Sequence, residues 1–278
     1  MHDNFAKMSD KKTGGVPMGQ VYVITSGKGG VGKTTTTANL GSALAMMNKR
    51  VVVIDADIGL RNLDVVMGLE NQIVYNVVDV VEGRCRFSQA LIKDKRFEEL
   101  YLLPAAQTNN KTDIAPGDMI ELCDELRAEF DYILIDCPAG IERGFENAIA
   151  GADKSIVVTV PEVSAVRDAD RIIGLLNSAG IEEVNLIVNR VRLDLVKKGE
   201  MLSVDDMLDI LAAKLLGIVP DNKDIVITTN RGEPVVSNQK SLTGQAYRNI
   251  AERVLGEEVP YVELDVKKNF IQWLFSTN

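Results

Sequence analysis

Histidine, cysteine and aromatic residues are scarce in this chain, and each shortage closes off a class of chemistry. The 278 residues hold one histidine, His2, near the start. Histidine acid–base catalysis and histidine metal sites are thereby set aside. The three cysteines, Cys85, Cys123 and Cys137, show no C-x-x-C spacing, which argues against a metal or redox pair and fits a reducing compartment. Aromatic residues make up 5%, so aliphatic side chains must fill the core. Basic residues number 31 against 40 acidic, a net charge of -9, whereas duplex binding usually calls for a basic face. Nucleic acid is therefore not expected as a partner. No apolar run approaches the length of a membrane span.

What is present suits a globular α/β protein. Hydrophobic residues make up 46%, and the length allows one large domain or two small ones. Short aliphatic runs at 21–25, 51–55, 101–104, 132–136, 155–160, 185–189 and 215–219 read as strands. Several are apolar on both faces, as in parallel strands covered by helices. Amphipathic stretches at 35–47, 118–130, 165–178 and 204–213 fall between them. This alternation predicts a doubly wound, mostly parallel sheet with helices on both faces. The expected organisation is a disordered extension over 1–19, one domain over 20–256 and a tail over 257–278. Residues 1–18 are polar, lack the apolar core of a secretory signal, and receive no assigned role.

The stretch GKGGVGKT, residues 27–34, fits G-x-x-x-x-G-K-[ST] between a strand and a helix. Bare backbone at Gly27, Gly29, Gly30 and Gly32, with Val31 between, lets N–H groups curl around phosphate oxygens. Lys33 is placed to reach the β and γ phosphates, the Thr34 hydroxyl to bind Mg²⁺, and Thr35 to contact the α phosphate. The same glycines also match G-x-G-x-x-G, with Asp55 where a ribose-binding acid would stand. Lys33 and Thr34 decide for the P-loop, since a dinucleotide site needs neither. ATP and Mg²⁺ are the expected cofactors.

Two carboxylates open DADIGLRNLD, residues 55–64. Asp55, at a strand end, suits support of the Mg²⁺ surroundings. Asp57, just beyond, suits orientation of an attacking water, because phosphoryl transfer rests on positioning and charge. YILIDCPAGIE, residues 132–142, puts Asp136 at the end of another strand, where it would hold Mg²⁺ through water. Cys137 reads as a packing residue, with no base beside it. Asn189 and Arg190 close a further strand, and the Asn189 carboxamide suits either an adenine edge or a turn.

Lys28 is a second lysine that an ordinary P-loop does not need. With it, GKGGVGKTT resembles the deviant Walker A motif of the ParA/MinD family of ATPases. That resemblance implies that Lys28 reaches the phosphates of a partner subunit, so that ATP holds a homodimer together. It also implies that Asp57 serves hydrolysis, that Asn189, Pro220 and Asp221 lie on the adenine side, and that Glu162 touches the opposite nucleotide. The helix opened by PEVSAVRDADR, residues 161–171, reads either as a capped, solvated helix or as part of a partner-binding face at Arg167, Asp168 and Asp170.

The chain closes with DVKKNFIQWLFSTN. At helical spacing over about 266–275, Phe270, Ile271 and Leu274 share a face edged by Trp273 and Phe275, with Lys268, Asn269 and Gln272 opposite and the Lys267 stem able to snorkel. Such a helix is too short to span a bilayer and suited to lying in its interface. Each buried apolar side chain is worth roughly 1.5–3 kcal/mol, offset by ordering, and each lysine adds about 1 kcal/mol at an anionic surface. One tail binds weakly, and two on one dimer gain avidity. Together with NRGEP at 230–234, these motifs resemble the branch of the family that places the division septum. That resemblance implies the division inhibitor MinC and the activator MinE as partners, slow hydrolysis, and a cytoplasmic protein peripheral to the inner membrane. The rivals are a DNA-partitioning or flagellar-number relative, a metabolic ATP-dependent ligase on the same scaffold, and an iron–sulfur carrier.

Overall fold

A computed structural model describes residues 18–107, 114–141 and 143–264. In chain order the elements are β1 (Gln20–Thr25), α1 (Lys33–Met46), β2 (Val51–Asp55), α2 (Leu63–Met67), α3 (Val77–Val81), α4 (Phe87–Ala90), β3 (Ile92–Lys93), β4 (Leu100–Leu103), α5 (Pro116–Arg127) and β5 (Tyr132–Asp136). They continue with α6 (Arg143–Ile149), β6 (Lys154–Thr159), α7 (Val163–Ser178), β7 (Val184–Val191), α8 (Leu193–Lys197), α9 (Val204–Ile210), β8 (Lys214–Pro220), α10 (Lys223–Thr229) and α11 (Leu242–Val254).

The strands form one eight-stranded sheet in the order β3-β4-β2-β5-β1-β6-β7-β8. Every pairing is parallel except the edge pair β3–β4. The sheet is the doubly wound, mostly parallel one that the alternating runs predict. β3 was not among the expected strands: two residues are too few to show alternation, and its hydrogen bonds come from β4. β7 runs beyond the expected 185–189 at both ends, because β6 and β8 flank it with ladder partners.

Helices cover both faces, and strand alternation sorts the core into two layers. Along β1, Val21 and Val23 face one layer with Ile133, Ile135, Leu126 and Ile172. Tyr22 and Ile24 face the other, with Leu40, Leu44, Val53 and Tyr247. Because seven strands run the same way, their carboxyl ends gather along one edge, where a doubly wound sheet holds its ligand. Thr25 with the loop after it, Asp55, Asp136, Asn189 and Pro220 all reach that edge.

Residues 257–264, grouped with the tail above, lie back on the domain. Asn249 donates to the Pro260 carbonyl at 2.9 Å, Arg253 donates to that of Val259, and the Tyr261 hydroxyl donates to that of Leu215 at 3.0 Å. The proposed membrane residues Lys267, Lys268, Phe270, Ile271, Trp273, Leu274 and Phe275 lie outside the described residues, as do residues 1–17 of the extension expected over 1–19.

Candidate nucleotide site

The loop after β1 is shaped for an anion. Gly30 and Gly32 take φ of +76° and +102°, a region that side chains rarely adopt. A Cβ on Gly32 would also stand 2.3 Å from the Asn189 amide nitrogen. Gly27 is confined differently, since a Cβ there would meet the backbone of Asp168 on α7 at 2.5 Å. The first turn of α1 has no side-chain cap and no acidic residue, so its N–H groups and dipole face the loop without a protein partner. Lys33 is 8% exposed and has no ion pair among the described residues. A buried cation beside an uncapped helix start is costly until an anion arrives.

Two carboxylates stand opposite this cation. Asp55 and Asp136 are register partners on the adjacent parallel strands β2 and β5, each 1% exposed. Burial, then the charge of Asp136, pushes the Asp55 carboxyl well above the usual carboxylate range. Burial also raises Asp136, against the opposing effects of the Thr34 hydroxyl, the Lys33 charge and the Thr37 hydroxyl. The Thr37 hydroxyl lies 3.1 Å from the Lys33 carbonyl and 3.3 Å from Asp136 Oδ1. Asp55 accepts from the N–H groups of Asp57 at 2.9 Å and Leu63 at 3.1 Å, and so anchors both ends of the intervening loop. Asp57 is half-buried, and its charge reaches Asp136.

These residues fit a magnesium ion shared with phosphate. Among the described residues no cluster of three or more His, Cys, Asp or Glu could hold a metal alone. Magnesium rarely uses such a cage; it takes one or two protein ligands and completes its shell with phosphate and water. Neighbouring buried carboxylates held above their usual range are what a divalent cation would relieve.

Lys28 faces its own α7. Its ammonium donates to the Ser164 hydroxyl at 3.0 Å and lies 3.7 Å from Glu162. Both charged side chains are largely exposed, at 45% and 61%. On the other side of the loop, Asn189, Arg190, Pro220 and Asp221 line a cleft of about 270 Å³ that reaches Gly32 and Thr35. Asn189 spends its amide on the Val31 carbonyl at 2.8 Å and its oxygen on the Arg190 N–H at 2.9 Å. The carboxamide thus ties β7 to the P-loop, and Arg190 sits at φ +55° beside it.

A family described as AAA domain matches residues 19–189. The septum site-determining protein MinD of Bacillus subtilis (strain 168) is 59% identical over 250 residues, covering 89% of this chain and 93% of that protein. The chain belongs to the MinD family. Among solved structures, the MinC:MinD cell division protein complex of Aquifex aeolicus includes a chain 51% identical to this one, with a TM-score of 0.82, covering 87% of this chain and 98% of that one. Septum site-determining MinD of Pyrococcus horikoshii OT3, complexed with Mg-ADP, is 32% identical with a TM-score of 0.78 over 85% of this chain and 96% of that one.

The MinD-family membership carries the P-loop ATPase fold and class. Gly27, Gly29, Gly30, Val31, Gly32, Lys33, Thr34 and Thr35 converge with Asp55, Asp57 and Asp136 on one edge of the sheet. Lys28 and Glu162 meet each other at its rim, and Asn189, Arg190, Pro220 and Asp221 meet around the cleft. Sequence reasoning missed Tyr247, a wall of the cleft. It is fully buried on α11, within 3.2 Å of the Thr36 hydroxyl, and burial pushes its phenol up to about 12. It also missed Asn222, which caps α10 by accepting from the Asp224 N–H at 2.9 Å. Asn222, ahead of Lys223 and Asp224 at a helix start, was a legible cap signal; nothing local marks Tyr247. Cys137 is buried with its thiol pushed up to about 12, in keeping with a packing residue.

Proposed function

We propose that this chain is a Mg²⁺-dependent septum-placing ATPase whose nucleotide state controls both self-association and residence at the inner membrane. The observation that carries the reading is the buried, unpaired Lys33 at the uncapped start of α1, opposite the Asp55–Asp136 pair. The triphosphate is the anion that arrangement lacks. Lys33 and the loop N–H groups hold its β and γ phosphates. The Thr34 hydroxyl and, through water, Asp136 would hold Mg²⁺, with Asp55 supporting them. When bound, the ion offsets phosphate charge. Asp57, on the loop that Asp55 anchors, orients the attacking water. Asn189, Arg190, Pro220 and Asp221 receive the base.

Lys28 is the cross-subunit lysine. Its exposed pairing with Glu162 and Ser164 is weak enough to exchange for a second subunit's phosphates, since surface ion pairs are worth about 0–1 kcal/mol. ATP thereby holds two copies together, and hydrolysis, slow until MinE acts, releases them. The paired tails, through Lys267, Lys268, Phe270, Ile271, Trp273, Leu274 and Phe275, add up to a lasting lipid contact. MinC is the cargo, as the Aquifex aeolicus complex suggests for this family.

Vesicle co-sedimentation tests the reading, with ADP and with a non-hydrolysable ATP analogue, on the full chain and on one lacking residues 269–278. The full chain should sediment with the analogue only, and the shortened chain with neither. Equal sedimentation in both nucleotides overturns it.

A further inference from the structure

Two short helices leave the nucleotide site in different directions and meet again away from it. α2 starts at the metal-side carboxylate, where the Leu63 N–H donates to Asp55. α10 starts at the cleft, where Asn222, Ile225 and Val226 form part of the wall beside Asn189. Their far ends touch through glycine. Gly68, which caps α2, and Gly232, just past α10, both take φ of +65°. A Cβ on Gly232 would stand 2.5 Å from Gly68 Cα, so only glycine allows this approach.

One side chain fastens the joint. Arg96, on the turn between β3 and β4, donates to the Gly232 carbonyl at 2.5 Å and to the Met67 carbonyl. The same guanidinium makes a two-pronged pair with Asp94, from Nε at 2.9 Å and from Nη2 at 2.6 Å. Asp94 is 1% exposed, and its Oδ1 also accepts from the Arg96 N–H. A planar fork of five donors can serve a carboxylate and two carbonyls together, which an ammonium cannot. The positive charge also sits at the carbonyl ends of both helices, where it is favoured.

We propose that Arg96 is a positioning residue: it rivets the far ends of α2 and α10, so that filling the base-side cleft is transmitted to the Asp57–Leu63 loop. The inference rests on the nucleotide reading above. It closes a ring running from the cleft along α10, through Gly232, Arg96 and Met67, and back along α2 to Asp55. Arg96 touches neither nucleotide nor metal, and its influence is on where the hydrolytic loop stands.

Hydrogen exchange read by mass spectrometry tests this on the full chain, with ADP in EDTA so that no ion bridges the carboxylates. In the unaltered protein, ADP should slow exchange in both 223–232 and 62–68. In Arg96→Ala it should still slow 223–232 but leave 62–68 unchanged. Hydrolysis should then show kcat down about tenfold with KM for ATP within twofold, a split that general loosening of the fold would not produce. Arg96→Gln, which keeps two donors, serves if the alanine variant does not fold, and Arg96→Lys should rescue only in part. Slowing of both segments in the Ala or Gln variant, or of 223–232 alone in the unaltered protein, overturns this inference. Failure of ADP to bind the unaltered protein both in EDTA and with Mg²⁺ overturns the nucleotide reading and this one with it.

Discussion

The two ends of the central strands use the same residue types in opposite ways. At the amino edge, Arg127 is 13% exposed and donates to both oxygens of Asp153, at 2.5 and 2.8 Å. It donates as well to the carbonyls of Gly19 at 3.0 Å and Gly151 at 3.1 Å, while Asp153 accepts from the Val21 N–H at 2.8 Å. Cation and anion satisfy each other and clamp α5, β1 and the start of β6. At the carboxyl edge, Lys33 has no ion pair among the described residues, and Asp55 stands beside Asp136 with like charge. One edge is finished by the protein, and the other is left for a ligand to finish. Stability and function thus sit at opposite ends of the same strands, and variants at the two ends should separate them.

The largest effect expected is on turnover at the open edge. Lys33→Ala should lower ATP hydrolysis on the order of 10²–10³-fold. Its melting temperature should change little, because the cost of burying the ammonium and its attraction to Asp136 offset each other. A matching fall in melting temperature would show that Lys33 is a structural ion after all. Gly32→Ala should cost about 2 kcal/mol or more in denaturant titration, from the left-handed backbone and the crowding of Asn189, and should weaken nucleotide binding as well.

At the closed edge, Asp153→Ala should cost about 1–2 kcal/mol, a value held down by the 40% exposure of the carboxylate. Hydrolysis per folded molecule should not change. The two edges should also answer pH with opposite sign. Burial alone would raise Asp153, but the Arg127 and Val21 hydrogen bonds outweigh it and hold its carboxyl below the usual value of 3.8. Its contribution is therefore full above that value and lost as pH falls through the lower, folded one. Asp55 and Asp136 are raised, so their ionisation opposes folding at high pH, and that penalty lifts as pH falls. Without nucleotide, Asp136→Asn should melt higher than the unaltered protein at pH 8, with the gap closing toward pH 4. Asp153→Asn should melt lower at pH 7, with its gap closing below pH 3.8. Thermal scans across pH would collapse the contrast if both gaps had one sign.

The smallest effect sits on the rim. Lys28→Ala should change stability by less than about 0.5 kcal/mol, as its partners are exposed. Light scattering with a non-hydrolysable ATP analogue should nevertheless show loss of association. Retained association would leave Lys28 as an ordinary loop lysine.

The site was legible where neighbours in sequence are neighbours in space. Residues 27–35 form one loop and one helix start, so their spacing alone carries the phosphate cradle. Asp55 and Asp136 were legible because a carboxylate ending an aliphatic run lands at the ligand edge of a parallel sheet. Lys28 was legible as an oddity, while its pairing with Glu162 and Ser164 was not, since α7 reaches it from more than 130 positions away. Tyr247 meets Thr36 across 211 positions, and Arg96 meets Gly232 across 136. Neither lies in a motif, and an arginine in a charged turn such as KDKR reads as solvated.

By itself, the sequence determined the sheet-and-helix alternation, the phosphate loop and the carboxylates ending β2 and β5, because these follow from local propensity and periodicity. Only the tertiary structure decided which charges are paired and which are left open. It placed Asp153 on Arg127, aligned Asp55 with Asp136, left Lys33 buried and unpaired, and joined α2 to α10 through Arg96. Pairing depends on distances across the sheet and on exclusion of water, and both arise only when remote segments pack.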